Sequence, residues 1–234
     1  TLDNIEGAVA LEDGLMSRAG WAILDDSRAL VFNTQSWLEP RNAPQGTLDL
    51  YFFGHGRAYQ DVLNDYMKIA GRVPMIPRYI LGNWWSRFWE YSQPDLTNLM
   101  MEFKQHEIPL SVCIIDMDWH ITKTGNTSSG WTGYTWNRDL FPDPRGFIST
   151  LHQLGLKTAM NLHPAEGVWP HEEQYARIAE RVGIDPQSEQ PVEFDITSPA
   201  FMAAYFEELH HPHEQDGVDF WWVDWQQGTT SRFE

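Results

Sequence analysis

Residues 109–118 read PLSVCIIDMD, an almost continuous apolar run that ends in two aspartates. Two later stretches also end in a polar residue: LKTAMNLH at 156–163 and VDFWWVD at 218–224. Near-continuous apolar strands are typical of a sheet that is buried on both faces, and such sheets are usually parallel. We therefore predict that these three stretches are strands of one parallel sheet.

Helical patterns alternate with these strands. A further short strand, YILGNWW, is predicted at 79–85, and helices are predicted at 92–105, 144–155, 172–183 and 198–211. Ser92 and Asp95 have the spacing of a capping box, and Ser198 followed by Pro199 is a typical helix start. The alternation indicates a parallel sheet that is covered by helices.

The long segments between strands favour a (β/α)8 barrel over a doubly wound sheet. They exceed the minimal unit of about 30 residues, and the excess lies in loops after the strands, where a barrel builds its active site. The first strand is not followed by the glycine-rich phosphate loop of a doubly wound nucleotide-binding sheet.

The number of strands is half of that in a complete barrel. A barrel takes about 250 residues and eight strands, whereas four strands are predicted from Arg78 onward. Open sheet edges are unfavourable. We therefore expect residues 78–234 to be the first half of a barrel, completed by the remainder of a longer protein, a second polypeptide or an oligomer partner.

Short alternating runs precede the barrel segment. GWAILDD, ALVFN and TLDLYFF, within residues 20–53, are separated by turn-like residues and indicate antiparallel strands. In the next segment Tyr59, Val62 and Tyr66 fall on one helical face, and Gly71 supplies a stop. We therefore expect an antiparallel sheet within residues 1–54 and a linking helix with a lead-in segment at 55–77.

Composition excludes several classes of function. The net charge of −17 argues against binding to nucleic acid or to anionic membranes. Apolar runs are shorter than the roughly 20 residues that span a bilayer, so a soluble protein is expected, either cytoplasmic or secreted. The chain contains 12 Trp, several beside polar loop residues as in NWWSRFWEY and SSGWTGYTWN. Such indoles are suited to stacking against sugar rings.

Polar side chains follow the predicted strands. Asp116 and Asp118 follow one strand, Asn161 and His163 end the next, and Asp224 ends the last. Carboxylates at the carboxyl ends of parallel strands are suited to acid/base or nucleophilic chemistry. Asp116 and Asp118 would share a face if their strand persisted. Alternatively, one of them caps a loop or pairs with Arg87.

A metal site is the alternative to acid/base or nucleophilic chemistry at these strand ends. Asp116, Asp118, His120 and His163 are suitable ligand types, and HHPHE at 210–214 adds more. However, these last histidines are expected after a helix C-terminus, where imidazoles offset the helix dipole. The HExxH metal motif is absent from the sequence. We therefore predict neither a metal nor another cofactor.

Three stretches resemble glycoside hydrolase family 31, the family of retaining α-glucosidases and α-xylosidases. FWWVDWQQG at 220–228 resembles the family's nucleophile motif on the fourth barrel strand, and PLSVCIIDMDWH at 109–120 resembles its second strand. Residues 56–87 resemble the segment that leads into the barrel. The leading residues resemble the end of the β-sandwich that precedes the barrel in this family, so the resemblance implies the end of a β-sandwich domain at 1–54. The resemblance covers nearly the whole chain, in order.

The resemblance implies roles for individual residues. Asp224 would be the catalytic nucleophile, and Asp116 would accept hydrogen bonds from sugar hydroxyls. The other implied substrate-binding residues are Met117, Asn161, Trp222 and Trp225. His163 departs from the pattern, because many members carry an acidic residue there, and the sugar therefore need not be glucose.

The implied activity is that of a retaining, exo-acting α-glycosidase acting on a glycoside or oligosaccharide. Retention requires a second carboxyl group about 5–5.5 Å from the nucleophile, and in the family this acid comes from a later strand. We therefore expect this chain to be a fragment that is inactive alone. The alternatives are a non-catalytic carbohydrate-binding protein and a lyase or transglycosylase of the same family.

Overall fold

A computed structural model describes residues 14–224. These residues form two compact units, with the boundary between Ile76 and Pro77. Within the described range, none of the helices combines the length and apolar composition that crossing a bilayer requires.

The first unit contains two small antiparallel sheets and one helix. β1 (Ala22–Asp25) pairs with β4 (Leu50–Phe53), and β2 (Val31–Phe32) pairs with β3 (Leu38–Glu39). The antiparallel pairing predicted from the alternating runs is confirmed. Helix α1 (Tyr59–Ala70) follows, and Gly71 ends it with a φ of 83°, a conformation that glycine adopts without strain.

The second unit is an α/β layer structure. Its four parallel strands are neighbours in chain order: β5 (Trp84–Trp85), β6 (Val112–Ile115), β7 (Lys157–Leu162) and β8 (Phe220–Val223). The helices that cover the sheet are α2 (Gln93–Gln105), α3 (Pro144–Gln153), α4 (Tyr175–Arg181), α5 (Pro199–Ala204) and α6 (His211–Asp216). The predicted parallel sheet and its covering helices are confirmed.

Two predicted helix starts are present as hydrogen-bonded caps. Ser92 accepts from the Asp95 amide, and the Asp95 side chain accepts from the Ser92 amide. Ser198 accepts from the Phe201 amide at 3.2 Å, and Pro199 occupies the first turn of α5. Both caps satisfy amides that have no partner inside the helix.

The first predicted strand is wrong over most of its length. Residues 78–81 form a turn of 3₁₀ helix, and only Trp84 and Trp85 are in the sheet. The Ile80 and Gly82 amides donate to carbonyls three residues earlier, so they do not take part in a strand ladder.

The predicted end of the last helix is also wrong. A π-helical segment (Tyr205–His210) joins α5 to α6, and the helix continues to Asp216 before Gly217 ends it with a φ of 118°. Pro212 lies in the first turn of α6, directly after the π-helical segment. The histidines at 210–213 therefore lie within the helical layer and not after it.

The two faces of the parallel sheet differ. Alternate residues of β6 and β7, such as Ile115 and Leu162, pack against the helices in the main core. The opposite face carries a smaller cluster of Val112, Ile114 and Ala159, with Tyr79 and Phe220 beside it. Trp84 and Trp222 are exposed on this opposite face. This face and the carboxyl ends of its strands position the candidate site.

Candidate active site at the carboxyl ends of the parallel strands

The functional candidates lie at the same end of the sheet. Leu162 pairs in register with Val223, so β7 and β8 end side by side, whereas Ile115 pairs with Met160, so β6 ends two residues before β7 does. Asp224 follows β8 directly, and its amide donates to the Leu162 carbonyl at 2.9 Å. The backbone of Asp224 is therefore held against the end of β7.

Asp224 has a partner in the neighbouring strand end. Nε2 of His163 lies 3.5 Å from Oδ2 of Asp224, with the His163 side chain 3% exposed and the Asp224 side chain 26% exposed. The imidazole meets the Trp131 ring edge to face at 5.1 Å between centroids. Thr132 Oγ1 donates to the His163 carbonyl. Sequence reasoning placed His163 at a strand end and weighed it as a metal ligand, but it did not pair His163 with Asp224, where the structure places it.

Asp116 extends the same set of carboxylates from β6. Its backbone remains extended (φ −80°, ψ 175°), and Oδ1 accepts from the Met117 amide at 2.7 Å. Burial raises the pKa of Asp116, the Met117 amide and His163 oppose that rise, and the Asp224 charge adds to it. The structure therefore brings together the two carboxylates that the sequence singled out.

Asp118 does not share that arrangement. The strand ends at Ile115, and residues 117–119 form a 3₁₀ turn, so the alternation required to align Asp118 with Asp116 is broken. Burial first, and the charge of Glu90 second, raise the pKa of Asp118. Met117 is buried in the same turn.

The suggested pairing of Arg87 with a strand-end aspartate is absent from residues 14–224. None of the ion pairs in that range joins Arg87 to Asp116 or Asp118. Instead, the guanidinium lies over the Trp89 ring at 4.4 Å from its centroid, a cation–π arrangement.

Asn161 lies on the face opposite the main core. Its neighbours Met160 and Leu162 point into that core, so Asn161 points the other way. The residue is fully buried, yet neither its amide nitrogen nor its amide oxygen has a hydrogen-bond partner among the described residues. A buried unpaired amide is costly, and it provides both a donor and an acceptor for a polar group.

Trp222 shares this face, since it is the register partner of Asn161 in β8 and is 36% exposed. Trp225 lies outside the described residues.

A further aromatic pair was missed by sequence reasoning: Phe88 and Trp131 stack with centroids 6.4 Å apart and planes 22° apart. Phe88 is exposed, and Trp131 contacts His163, so the pair forms an aromatic wall beside His163. The only sequence signal was the clustering of aromatics in polar loops.

His120, His210 and His213 are buried packing groups. Burial lowers the pKa of His120 to about 4 and that of His210 to about 3. His213 Nε2 lies 2.8 Å from the Tyr134 carbonyl, and its ring packs against Trp119. Within residues 14–224, no group of three or more His, Cys, Asp or Glu side chains could hold a metal ion.

Carboxylates and an imidazole at the carboxyl ends of parallel strands are typical of α/β enzymes. Residues 73–233 match the family model described as "Glycosyl hydrolases family 31 TIM-barrel domain". The matched region is more than half of the chain, and the chain therefore belongs to glycosyl hydrolases family 31.

Similar proteins carry related names. An alpha-xylosidase of Saccharolobus solfataricus is 29% identical over 117 residues, which cover 50% of this chain and 15% of that protein. Alpha-glucosidase 2 of Bacillus thermoamyloliquefaciens is 28% identical over 123 residues, covering 53% of this chain and 14% of that protein. Each of these two alignments therefore spans about a seventh of the relative's length.

The fold is shared with solved structures of the family. The structure of a xylosidase from Aspergillus niger superposes with a TM-score of 0.64 at 20% identity, covering 89% of this chain and 30% of that one. At this identity the likeness concerns the fold alone.

Proposed function

We propose that this chain is part of a retaining, exo-acting α-glycosidase, with Asp224 as the nucleophile. The observation that carries the proposal is that Asp116 and Asp224 follow β6 and β8, the two strands that flank β7, and interact electrostatically there in a family 31 barrel segment. Residues 78–234 form the first half of its (β/α)8 barrel, residues 55–77 lead into it, and residues 1–54 end a β-sandwich.

In the proposed reaction a carboxylate oxygen of Asp224 attacks the anomeric carbon, and the bond from that carbon to the leaving oxygen breaks. A general acid from the remainder of the barrel gives its proton to the leaving oxygen. Water then cleaves the glycosyl–Asp224 ester, with its proton returning to the same group. This balance requires no metal or other cofactor.

The surrounding residues are suited to hold a sugar ring. Asp116 and Asn161 offer an acceptor and an amide to sugar hydroxyls, while Met117, Trp222 and Trp225 are proposed to line the pocket. The stacked rings of Phe88 and Trp131 add an apolar wall for the C–H face of a sugar. The names of the similar proteins favour terminal α-linked xylose or glucose.

The proposal is tested by trapping the nucleophile in the full-length parent protein. Incubation with 5-fluoro-α-xylosyl and 5-fluoro-α-glucosyl fluorides should add the mass of one fluoro-sugar, and peptide mapping should place it on Asp224. The sugar that reacts faster identifies the pocket's preference. An adduct on another carboxylate, or no adduct with either sugar, would refute the assignment.

The exposed aromatic wall also fits a carbohydrate-binding protein without turnover. Asp224→Ala distinguishes the two functions, because a binding protein would retain its sugar affinity and show no turnover in either form. A lyase or transglycosylase would give the same adduct, and its products would be an unsaturated sugar or a new glycoside in place of the free sugar.

A further inference from the structure

We propose that His163 is a positioning residue for the Asp224 carboxylate, acting through its Nε2 atom, with Trp131 and Thr132 fixing the imidazole. This inference rests on the proposed function, since it assigns a role relative to the nucleophile.

The geometry gives His163 direct access to Asp224. Their strands are register neighbours, and the Asp224 amide is hydrogen-bonded to the residue before His163. Nε2 and Oδ2 are consequently 3.5 Å apart at the level of the strand ends. A small rotation of the carboxylate brings the two atoms within ordinary hydrogen-bond distance.

The loop after β6 fixes the imidazole from the other side. Trp131 meets the ring at an interplanar angle of 85°. The Thr132 hydroxyl donates to the His163 carbonyl and also accepts from the Glu166 amide at 3.2 Å. A single side chain therefore holds the backbone from the His163 carbonyl to Glu166, and with Trp131 against the ring the imidazole has little freedom to turn away from Asp224.

Burial of the ring favours a neutral imidazole. Burial lowers the pKa of His163, while Asp224 from β8 and Asp116 from β6 partly oppose the change. His120, in the loop after β6, is the other titratable group that interacts with it, and its own low pKa keeps it neutral. Nδ1 of His163 is buried and has no partner among the described residues. A neutral ring with its proton on Nε2 orients Asp224 without cancelling the negative charge that attack requires.

Acid should lower the reactivity of Asp224. A protonated imidazole would form a full ion pair with the Asp224 carboxylate and stabilise it before attack. The rate of fluoro-sugar trapping should therefore fall as the pH drops through the pKa of His163.

The test uses the full-length parent and compares trapping rate constants for three variants. His163→Ala should slow trapping by on the order of 10²-fold, the usual effect of misplacing a reacting group by about 1 Å. His163→Gln keeps an N–H near the Nε2 position and should recover most of that loss at neutral pH. The acidic limb of its pH profile should lie at lower pH than in the wild type, because no imidazole remains to titrate.

His152→Ala is the matched control. His152 on α3 forms another imidazole–carboxylate pair, with Nε2 2.8 Å from Oδ2 of Asp219 just before β8. Removing it should lower stability without slowing trapping.

The possible outcomes are distinguishable. Wild-type trapping rates in His163→Ala, or an unchanged acidic limb in His163→Gln, would overturn the positioning role while leaving the proposed function intact. If His163→Ala does not fold, the Gln profile alone decides. Failure of the wild type to react with either sugar would overturn the proposed function, and this inference with it.

Discussion

The indole Nε1 of Trp119 donates a hydrogen bond to the backbone carbonyl of Asn161 at 2.8 Å. This bond ties the turn that follows Asp116 to the end of β7, so it holds two strand ends in the relative position that the candidate site requires. Both residues are fully buried, so water does not replace the bond if it is lost.

Trp119→Phe should destabilise the protein beyond the effect of the smaller ring, because a buried carbonyl loses its partner at a cost of about 1–3 kcal/mol. Trp136→Phe is the matched control. It also replaces an indole by a phenyl ring in the same core, but Nε1 of Trp136 has no hydrogen-bond partner in the described part of the chain. Urea unfolding of both variants measures the difference. Equal destabilisation would show that the hydrogen bond contributes nothing.

Asp224→Asn should lower kcat of the parent enzyme by on the order of 10⁴-fold, since an amide cannot form the glycosyl ester. Asp139→Asn, an exposed change in the loop after β6, should leave kcat unchanged. Steady-state rates on nitrophenyl α-xyloside and α-glucoside measure the effect. A fall of less than tenfold in Asp224→Asn would exclude Asp224 as the nucleophile.

Phe88→Ala should raise KM up to roughly tenfold with little effect on stability, because an aromatic contact contributes about 0.5–1.5 kcal/mol and this ring is 66% exposed. Phe206→Ala removes another exposed ring, on the helical layer away from the strand ends, and serves as the control. The KM values of the two variants for the same glycoside are compared. Equal KM values would contradict the sugar-wall role of Phe88.

Asp219 should make stability depend on pH. Its burial raises the pKa, but hydrogen bonds from Lys157, the Thr158 amide and His152 outweigh this and leave the pKa below its ordinary value of 3.8. Because the folded-state pKa is the lower one, the stabilisation is present above about pH 4 and is lost as the pH falls through the folded-state pKa.

Asp219→Asn should therefore destabilise the protein at pH 7 and have a smaller effect near pH 3. Urea unfolding of the wild type and the variant at both pH values checks the sign. A loss of stability that is the same at pH 7 and pH 3 would assign the role of Asp219 to packing and not to its charge.

Much of the second unit could be predicted from local patterns. Both helix starts, the capping box of Ser92 and Asp95 and the cap at Ser198, depend on residues three apart in the chain. Contacts between residues so close in the chain form whatever the tertiary packing. The parallel sheet follows from apolar strands that alternate with helices. The errors arose where neighbouring patterns competed: 3₁₀ hydrogen bonds at residues 78–81 replaced a strand, and a π segment carried the last helix through Pro212.

The candidate site shows the same division. Asp116 and Asp224 were identifiable because each directly ends an apolar run, and a parallel sheet brings such ends to one edge. Asp118 was misjudged because only the structure shows that its strand stops at Ile115. The partner of Asp224 was missed, since a histidine in NLHPAEG carries no local sign of what it will face.

The sequence by itself determined the alternation of parallel strands and helices, the helix caps at Ser92 and Ser198, and the positions of Asp116 and Asp224 at strand ends. These features depend on side-chain periodicity and on hydrogen bonds between residues close in the chain. Only the tertiary structure decided that His163 meets Asp224, that Trp131 packs against His163, and that Asn161 is buried with its amide unpaired. Such contacts depend on strand register and on where long loops close, and both are set by packing between segments that are distant in sequence.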